Sequence, residues 1–225
     1  MRKLIQGIVE FREKVLPQQR ALFAQLAVGQ HPDALFISCS DSRVAPNWFA
    51  STEPGDLFVV RNVGNLIPPS GETGVSASDE AEVAAIEFAL LQLKVANIIV
   101  CGHSECGAML AVSNGREKVQ APHLRSWLRH ADAALEELDA SPLETGGLVR
   151  ADRLSQINVL RQLRHIASYS AVREAQGRGA LQLHAWWFDI ASGGVYAHDA
   201  AENRFLLIEG ERAQRLLDTL PEGSR

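Results

Sequence analysis

Asn97-Ile98-Ile99-Val100-Cys101-Gly102-His103-Ser104-Glu105-Cys106 opens as an apolar run and ends in polar residues capable of chemistry. The run from Asn97 to Cys101 predicts a short buried strand, the length and apolarity fitting a strand covered on both faces. Just before it, a helix is expected from about Asp79 to Lys94, with Val83, Ile86, Leu90 and Leu93 on one face. A Gly- and Pro-bearing loop over 62–74 and a strand from Leu57 to Arg61 precede that helix. Earlier still, Ala34-Leu35-Phe36-Ile37-Ser38 repeats the pattern, an apolar run halting at polar Cys39-Ser40-Asp41-Ser42-Arg43. Strands alternating with helices predict an α/β fold: a mostly parallel central β-sheet flanked by helices.

Apolar positions at Leu4, Ile8, Phe11 and Val15, then Leu22 and Leu26, predict two helices with a break near Pro17. Residues 125–139 and 148–175 read as helices, separated by Ser141-Pro142 and Gly146-Gly147. Leu181 to Ile190 and Arg204 to Ile208 read as strands, with Ser192-Gly193-Gly194 as a turn signal. No linker, low-complexity tract or repeat is visible. The chain is therefore expected to be one domain over 1–225: an N-terminal helical arm (1–28), a core (29–209) and a C-terminal tail (210–225).

The 225 residues are 46% apolar and carry a formal net charge of −5. That balance argues against a surface built for phosphate backbones or anionic lipid, so no nucleic-acid partner is expected. After Met1-Arg2-Lys3, charged and polar residues interrupt any signal-like apolar run, and no stretch is long enough to span a membrane. Three cysteines, an odd number, fit a reducing compartment better than a disulfide framework. A cytoplasmic protein with thiols free for metal or chemistry is the expectation.

The two polar segments lie just beyond the carboxyl ends of predicted parallel strands, where open α/β sheets place their sites. His103 and Cys106 are spaced so that a loop entering a helix can present an imidazole and a thiolate to one ion, with Gly102 and Gly107 permitting a tight backbone. Cys39, arriving from the neighbouring strand, could complete a Cys2His set, which suits zinc and leaves a fourth tetrahedral position open. Alone, His-x-x-Cys is weak evidence for a metal site, and the plainer reading is a buried Cys and a His satisfied by backbone. Asp41 and Arg43 add weight, because charges at the end of an apolar strand are costly to half-bury without a task. The spacing sets them on one side of an extended loop, where Arg43 would keep Asp41 ionised and fixed in direction.

Cys-Ser-Asp-Ser-Arg-Val at 39–44 and Gly-His-Ser-Glu-Cys-Gly at 102–107 closely resemble motifs of the β-class carbonic anhydrases. Arg61-Asn62-Val63-Gly64-Asn65 and Ala85-Ile86-Glu87-Phe88-Ala89 are similar to that family's internal motifs, and the resemblance runs in order from about residue 2 to 208. By position it implies one zinc per chain held by Cys39, His103 and Cys106. Asp41 is then either a fourth ligand in a closed state or a partner of the zinc-bound hydroxide in an open one. The implied activity is reversible hydration of carbon dioxide to bicarbonate and a proton, with the attacking hydroxide oriented by the Asp41–Arg43 dyad. The resemblance also implies an N-terminal arm packed on a partner subunit, in a homodimer or homotetramer with active sites near the interface.

The plant-like branch has a Gln nine residues before the first zinc Cys, matched by Gln30, and pocket residues matched by Phe58 and Val63. Phe88 completes the expected substrate-binding set, standing where the family often has Tyr. The bicarbonate-inhibited branch relies on a Trp and a Tyr where this chain has Phe36 and Phe188. With only Arg61 remaining, that inhibitory anion site is expected to be missing or weak. A hydrolase for carbon disulfide or carbonyl sulfide would share the ligands and remains an alternative. A non-catalytic zinc protein fits less well, because a structural site closes with a fourth permanent Cys or His. Cys101, at the end of an apolar strand, is expected to be a core thiol whose side chain alternates away from the metal, and Trp127, Trp186 and Trp187 packing residues. Nothing in the spacing selects a proton carrier among His123, His130, His165, His184 and His198.

Overall fold

The computed structural model describes residues 1–76, 79–140 and 147–220. Two compact units divide the chain, Met1–His31 and Pro32–Arg225. In the first, α1 (Arg2–Glu10) runs through a π-helical turn (Phe11–Val15) into α2 (Leu16–Leu26). The break expected near Pro17 is thus a change of winding. Proline lacks an N–H and its ring crowds the carbonyl four residues back, and a π turn absorbs that misfit without ending the helix. Leu4, Ile8 and Phe11 are exposed, although Phe11 meets Phe23 edge-on at 5.9 Å.

The second unit holds six strands, β1 (Ala34–Cys39), β2 (Leu57–Asn62), β3 (Asn97–His103), β4 (Gln182–Phe188), β5 (Val195–Asp199) and β6 (Arg204–Leu207). Their order is β2-β1-β3-β4-β5-β6, parallel through β4 and antiparallel beyond it. This is the mostly parallel sheet expected, with β5 as an unexpected addition. Its five residues are half polar, and it is held by pairing across the tight turn at Gly193 rather than by its own apolarity.

Around the sheet lie α3 (Pro46–Phe49), α4 (Glu80–Glu87, continued by a π turn Phe88–Gln92), α5 (Gly107–Ser113) and α6 (Pro122–Trp127). They are followed by α7 (Asp132–Ala140), α8 (Arg150–Ala167), α9 (Ser170–Gly177) and α10 (Gly210–Asp218). The helix expected over 148–175 is therefore two, because the 68–70 loop captures the residues between them. Ser70 N–H donates to Ser168 Oγ at 2.9 Å, and the Tyr169 hydroxyl donates to Pro68 O at 2.7 Å. The helix expected over 125–139 starts earlier, at Pro122, and passes through a 3₁₀ turn (Leu128–Ala131). The Ser141-Pro142 and Gly146 turn signals lie outside the described residues. The expected C-terminal tail contains α10, tied to β5 by Arg212 donating to Asp199 at 2.7 Å.

Strand alternation divides the core. Leu35, Ile37, Ile98 and Val100 pack in one apolar cluster with α4 and α8 residues, while Ala34, Phe36, Ile99 and Cys101 pack in another with Val44 and Phe188. Every residue of β1 is buried, which explains why its sequence shows no polar alternation. At Gly102 the crossing of β3 with α8 is so close that a Cβ would lie 2.7 Å from Val159 Cγ2. Only glycine lets the strand carry His103 to its place.

Candidate metal centre

Chain order reverses at β1, which has β2 on one side and β3 on the other, so the carboxyl ends of β1 and β3 flank a crevice. Cys39 is the last residue of β1 and His103 the last of β3. Glu105, at φ 55°, turns the chain sharply so that Cys106 caps α5 and faces back toward both strands. The ligating atoms of Cys39, His103 and Cys106 lie within 4.8 Å of one another, and all three residues are buried.

The donors fit a metal. His103 Nδ1 is 2.8 Å from Ser104 O, a carbonyl that can only accept, so Nδ1 carries the proton and Nε2 keeps its lone pair. Nε2 is buried without a hydrogen-bond partner, an arrangement that costs free energy unless a Lewis acid takes the lone pair. Cys39 Sγ accepts the Gly64 N–H at 3.3 Å. A hydrogen bond from Cys106, with help from the neighbouring His103 side chain and the Gly64 N–H, lowers the Cys39 thiol to about 4, whereas the same Cys39 contact and burial push Cys106 up. With a metal taking the place of the shared proton, two thiolates and one imidazole would form a set suited to zinc. Gly64 itself has φ +85°, and a Cβ there would press on Ala108 at 3.0 Å.

Asp41 turns away from this cluster toward Arg43. Its Oδ1 accepts from the Arg43 backbone N–H and Nε, both at 3.0 Å, and its Oδ2 from Nη2 at 2.8 Å. These bonds hold the Asp41 carboxyl well below the usual range, so it stays ionised at any pH near neutrality. Arg43 is clamped from the other side by Glu105, whose Oε2 and backbone oxygen accept at 3.0 and 3.1 Å. Arg61 donates to the carbonyls of Cys39 and Asp41 at 3.1 and 2.6 Å, fixing the loop that carries the dyad.

A cavity of about 330 Å³ opens over Cys39 and Asp41, walled by Val63, Ala108, Leu124 and Leu128 among others. Of the expected substrate-binding residues, Val63 lines it. Phe58 and Phe88 do not; they stack on each other at 5.7 Å, with Phe88 44% exposed. Gln30 is exposed in the first unit. Cys101 is buried among the apolar residues of the opposite cluster, where burial raises its thiol. β3 runs two residues beyond its expected end, so Cys101 and His103 have the same strand parity. Cys101 is excluded by its depth in the sheet rather than by alternation.

The sequence reading missed the support from α8. Ser155 Oγ donates to His103 O at 2.9 Å, Asn158 Nδ2 to Gly64 O at 3.1 Å, and Gln162 accepts from Ile67 N–H at 2.8 Å while donating to His130 O at 3.1 Å. The signal was present as polar residues recurring at helical spacing inside a helix that also buries Leu154, Ile157, Val159 and Ile166. Gln162→Leu strands two backbone groups and is expected to destabilise the fold by about 1–3 kcal/mol for each. An unchanged urea midpoint would contradict that role.

The carbonic anhydrase family profile matches residues 34–195. A carbonic anhydrase of Pseudomonas aeruginosa is 41% identical over 92% of this chain and 91% of its own length. One from Synechocystis is 43% identical over 92% of this chain and 74% of its own length. Among solved structures, the β-carbonic anhydrase CcaA superposes with a TM-score of 0.82 at 40% identity, covering 93% of this chain and 92% of its own. A tetrameric β-carbonic anhydrase of Sordaria macrospora gives 0.74 at 31% identity, covering 87% and 95%. Sequence and fold agree with the buried sulfur and nitrogen donors: the chain belongs to the β-class carbonic anhydrases, enzymes that use zinc to hydrate carbon dioxide.

Proposed function

We propose that Cys39, His103 and Cys106 hold the zinc, that Asp41 and Arg43 orient the attacking oxygen, and that the cavity beside Val63 receives carbon dioxide. The carrying observation is the unpartnered Nε2 of His103 set among two buried thiols while both Asp41 oxygens are committed to Arg43. Zinc there lowers the pKa of a bound water to about 7 and so supplies hydroxide at neutral pH.

The residues do the rest. Asp41, ionised and held at both oxygens, offers a fixed acceptor to an O–H in the cavity, which sets the direction of the oxygen lone pair. Because Arg43 is itself pinned by Glu105, the carboxylate has no slack with which to rotate toward the thiols. The walls given by Val63, Ala108, Leu124 and Leu128 are apolar, suiting a neutral, nonpolar substrate, whereas the bicarbonate product gains little there and departs. X-ray absorption at the zinc edge of the loaded chain near pH 8 tests the ligand set. Two sulfurs with lighter scatterers are expected, and three or four sulfurs would refute it.

Arg61 is taken up by two carbonyls, and Phe36 is buried against Phe49 and Trp186, which supports an enzyme without a bicarbonate-inhibition site. The Phe58–Phe88 stack, lying outside this chain's own cavity with Phe88 exposed and Phe58 half-buried, supports a homodimer or homotetramer in which those rings complete the pocket of a neighbouring copy. Light scattering that returned the mass of one chain at micromolar concentration would end that proposal. Three unlinked, buried cysteines support a reducing, cytoplasmic setting. Among the described residues no helix is long and apolar enough to cross a membrane.

A further inference from the structure

Hydration converts carbon dioxide and water into bicarbonate and a proton, and the proton must leave the cavity before the next turnover. The cavity over Cys39 and Asp41 adjoins a larger one of about 590 Å³, and the two have Ser40, Val63 and Leu124 as common walls. The larger cavity is broadly open to solvent, and His123, next to Leu124 in the first turn of α6, lines it with an exposed side chain. Both spaces are wide enough for chains of water molecules, each filling about 30 Å³ in the liquid.

We infer that His123 accepts the proton released by hydration, through water in these adjoining cavities, and passes it to buffer outside. The inference rests on the carbonic anhydrase reading of the site. In each cycle the neutral imidazole takes one proton at its free ring nitrogen and becomes imidazolium. It then gives one proton to a buffer base and returns to its starting state, so nothing else is consumed.

The other histidines of the second unit are committed elsewhere. His130 is buried with Nε2 on Asp79 at 3.1 Å, His165 Nδ1 faces Ile67 O at 2.7 Å, and His184 Nε2 faces Asn97 at 2.9 Å. His198 is paired with neither cavity and packs on Phe205. The charged groups facing His123 across its cavity are Asp79, Glu82 and Arg129, with Arg125 on its own helix. Asp79 is engaged by Arg129 and His130, and Glu82 accepts from Asn62 at 3.3 Å. An imidazole is the side chain whose ordinary proton affinity lets it both take and release a proton near neutrality.

The test is stopped-flow hydration by zinc-quantified wild type, His123→Ala and His123→Gln in dilute buffer that lacks imidazole. Both variants are expected to lose about tenfold in kcat with kcat/KM unchanged, a loss smaller than that of a directly acting general base because buffer bypasses the relay. Added imidazole should restore kcat. Unchanged kcat in both variants would overturn the inference while leaving the zinc chemistry standing. So would an equal fall of kcat and kcat/KM without imidazole rescue, or a rescued kcat loss appearing in Glu82→Gln and not in the His123 variants. No hydration by the wild type would remove the inference and the reading beneath it together.

Discussion

Asp41→Asn is expected to lower kcat/KM for carbon dioxide hydration about a hundredfold or more while zinc stays bound at the wild-type level. The amide keeps the shape but not the charge. One of the two Arg43 contacts, at Oδ1 or Oδ2, then meets an NH2 group instead of an acceptor, and the fixed direction of the side chain is lost. Preorganised groups aimed at a reacting oxygen are worth about 10²–10³ in rate, and partners one layer outside a metal about 10–100. Arg43→Ala tests the same dyad from the other side. It leaves an ionised carboxylate two residues from Cys39 with no cation to hold it. That variant should be at least as impaired as Asp41→Asn, and near-normal hydration by either would remove the dyad from the mechanism.

The largest effect is expected from Cys106→Ser. A hydroxyl is a far poorer zinc donor than a thiolate. Zinc content should fall from about one per chain to a small fraction of that, and hydration with it. Cys101→Ser is the matched control, since Cys101 lies in the other core cluster and its loss should leave zinc bound. Elemental analysis of both variants after dialysis decides the matter. Zinc retained in Cys106→Ser, or lost in Cys101→Ser, would contradict the assigned ligand set.

How far the sequence carried this reading follows from what kind of signal each part leaves. The apolar runs at Ala34 and Asn97 have to be buried on both faces, so their strand character and the parallel sheet are written in composition alone. The ligands stand at the ends of those runs, and placing the strands placed Cys39, His103 and Cys106 together. β5 escaped because its pairing depends on a partner strand, which a five-residue half-polar segment does not announce. The break between α8 and α9 escaped because it is caused by Ser70 and Pro68, about a hundred residues away in the chain. Glu105's grip on Arg43 spans 62 residues and depends on a left-handed backbone turn that Glu rarely adopts. Likewise, only the juxtaposition of two cavities separates His123 from the other histidines. Where a residue's role is set by its own burial, the sequence shows it. Roles set by a distant partner become visible only in the fold.

The central claim is that carbon dioxide hydration depends on zinc at this site, and stopped-flow hydration near pH 8 on the chain stripped of metal and titrated back with zinc tests it most directly. Activity rising in proportion to zinc and levelling at about one ion per chain is the result expected. Zinc bound to that level with no hydration from pH 7 to about pH 9, where a zinc-activated water is ionised, would contradict it.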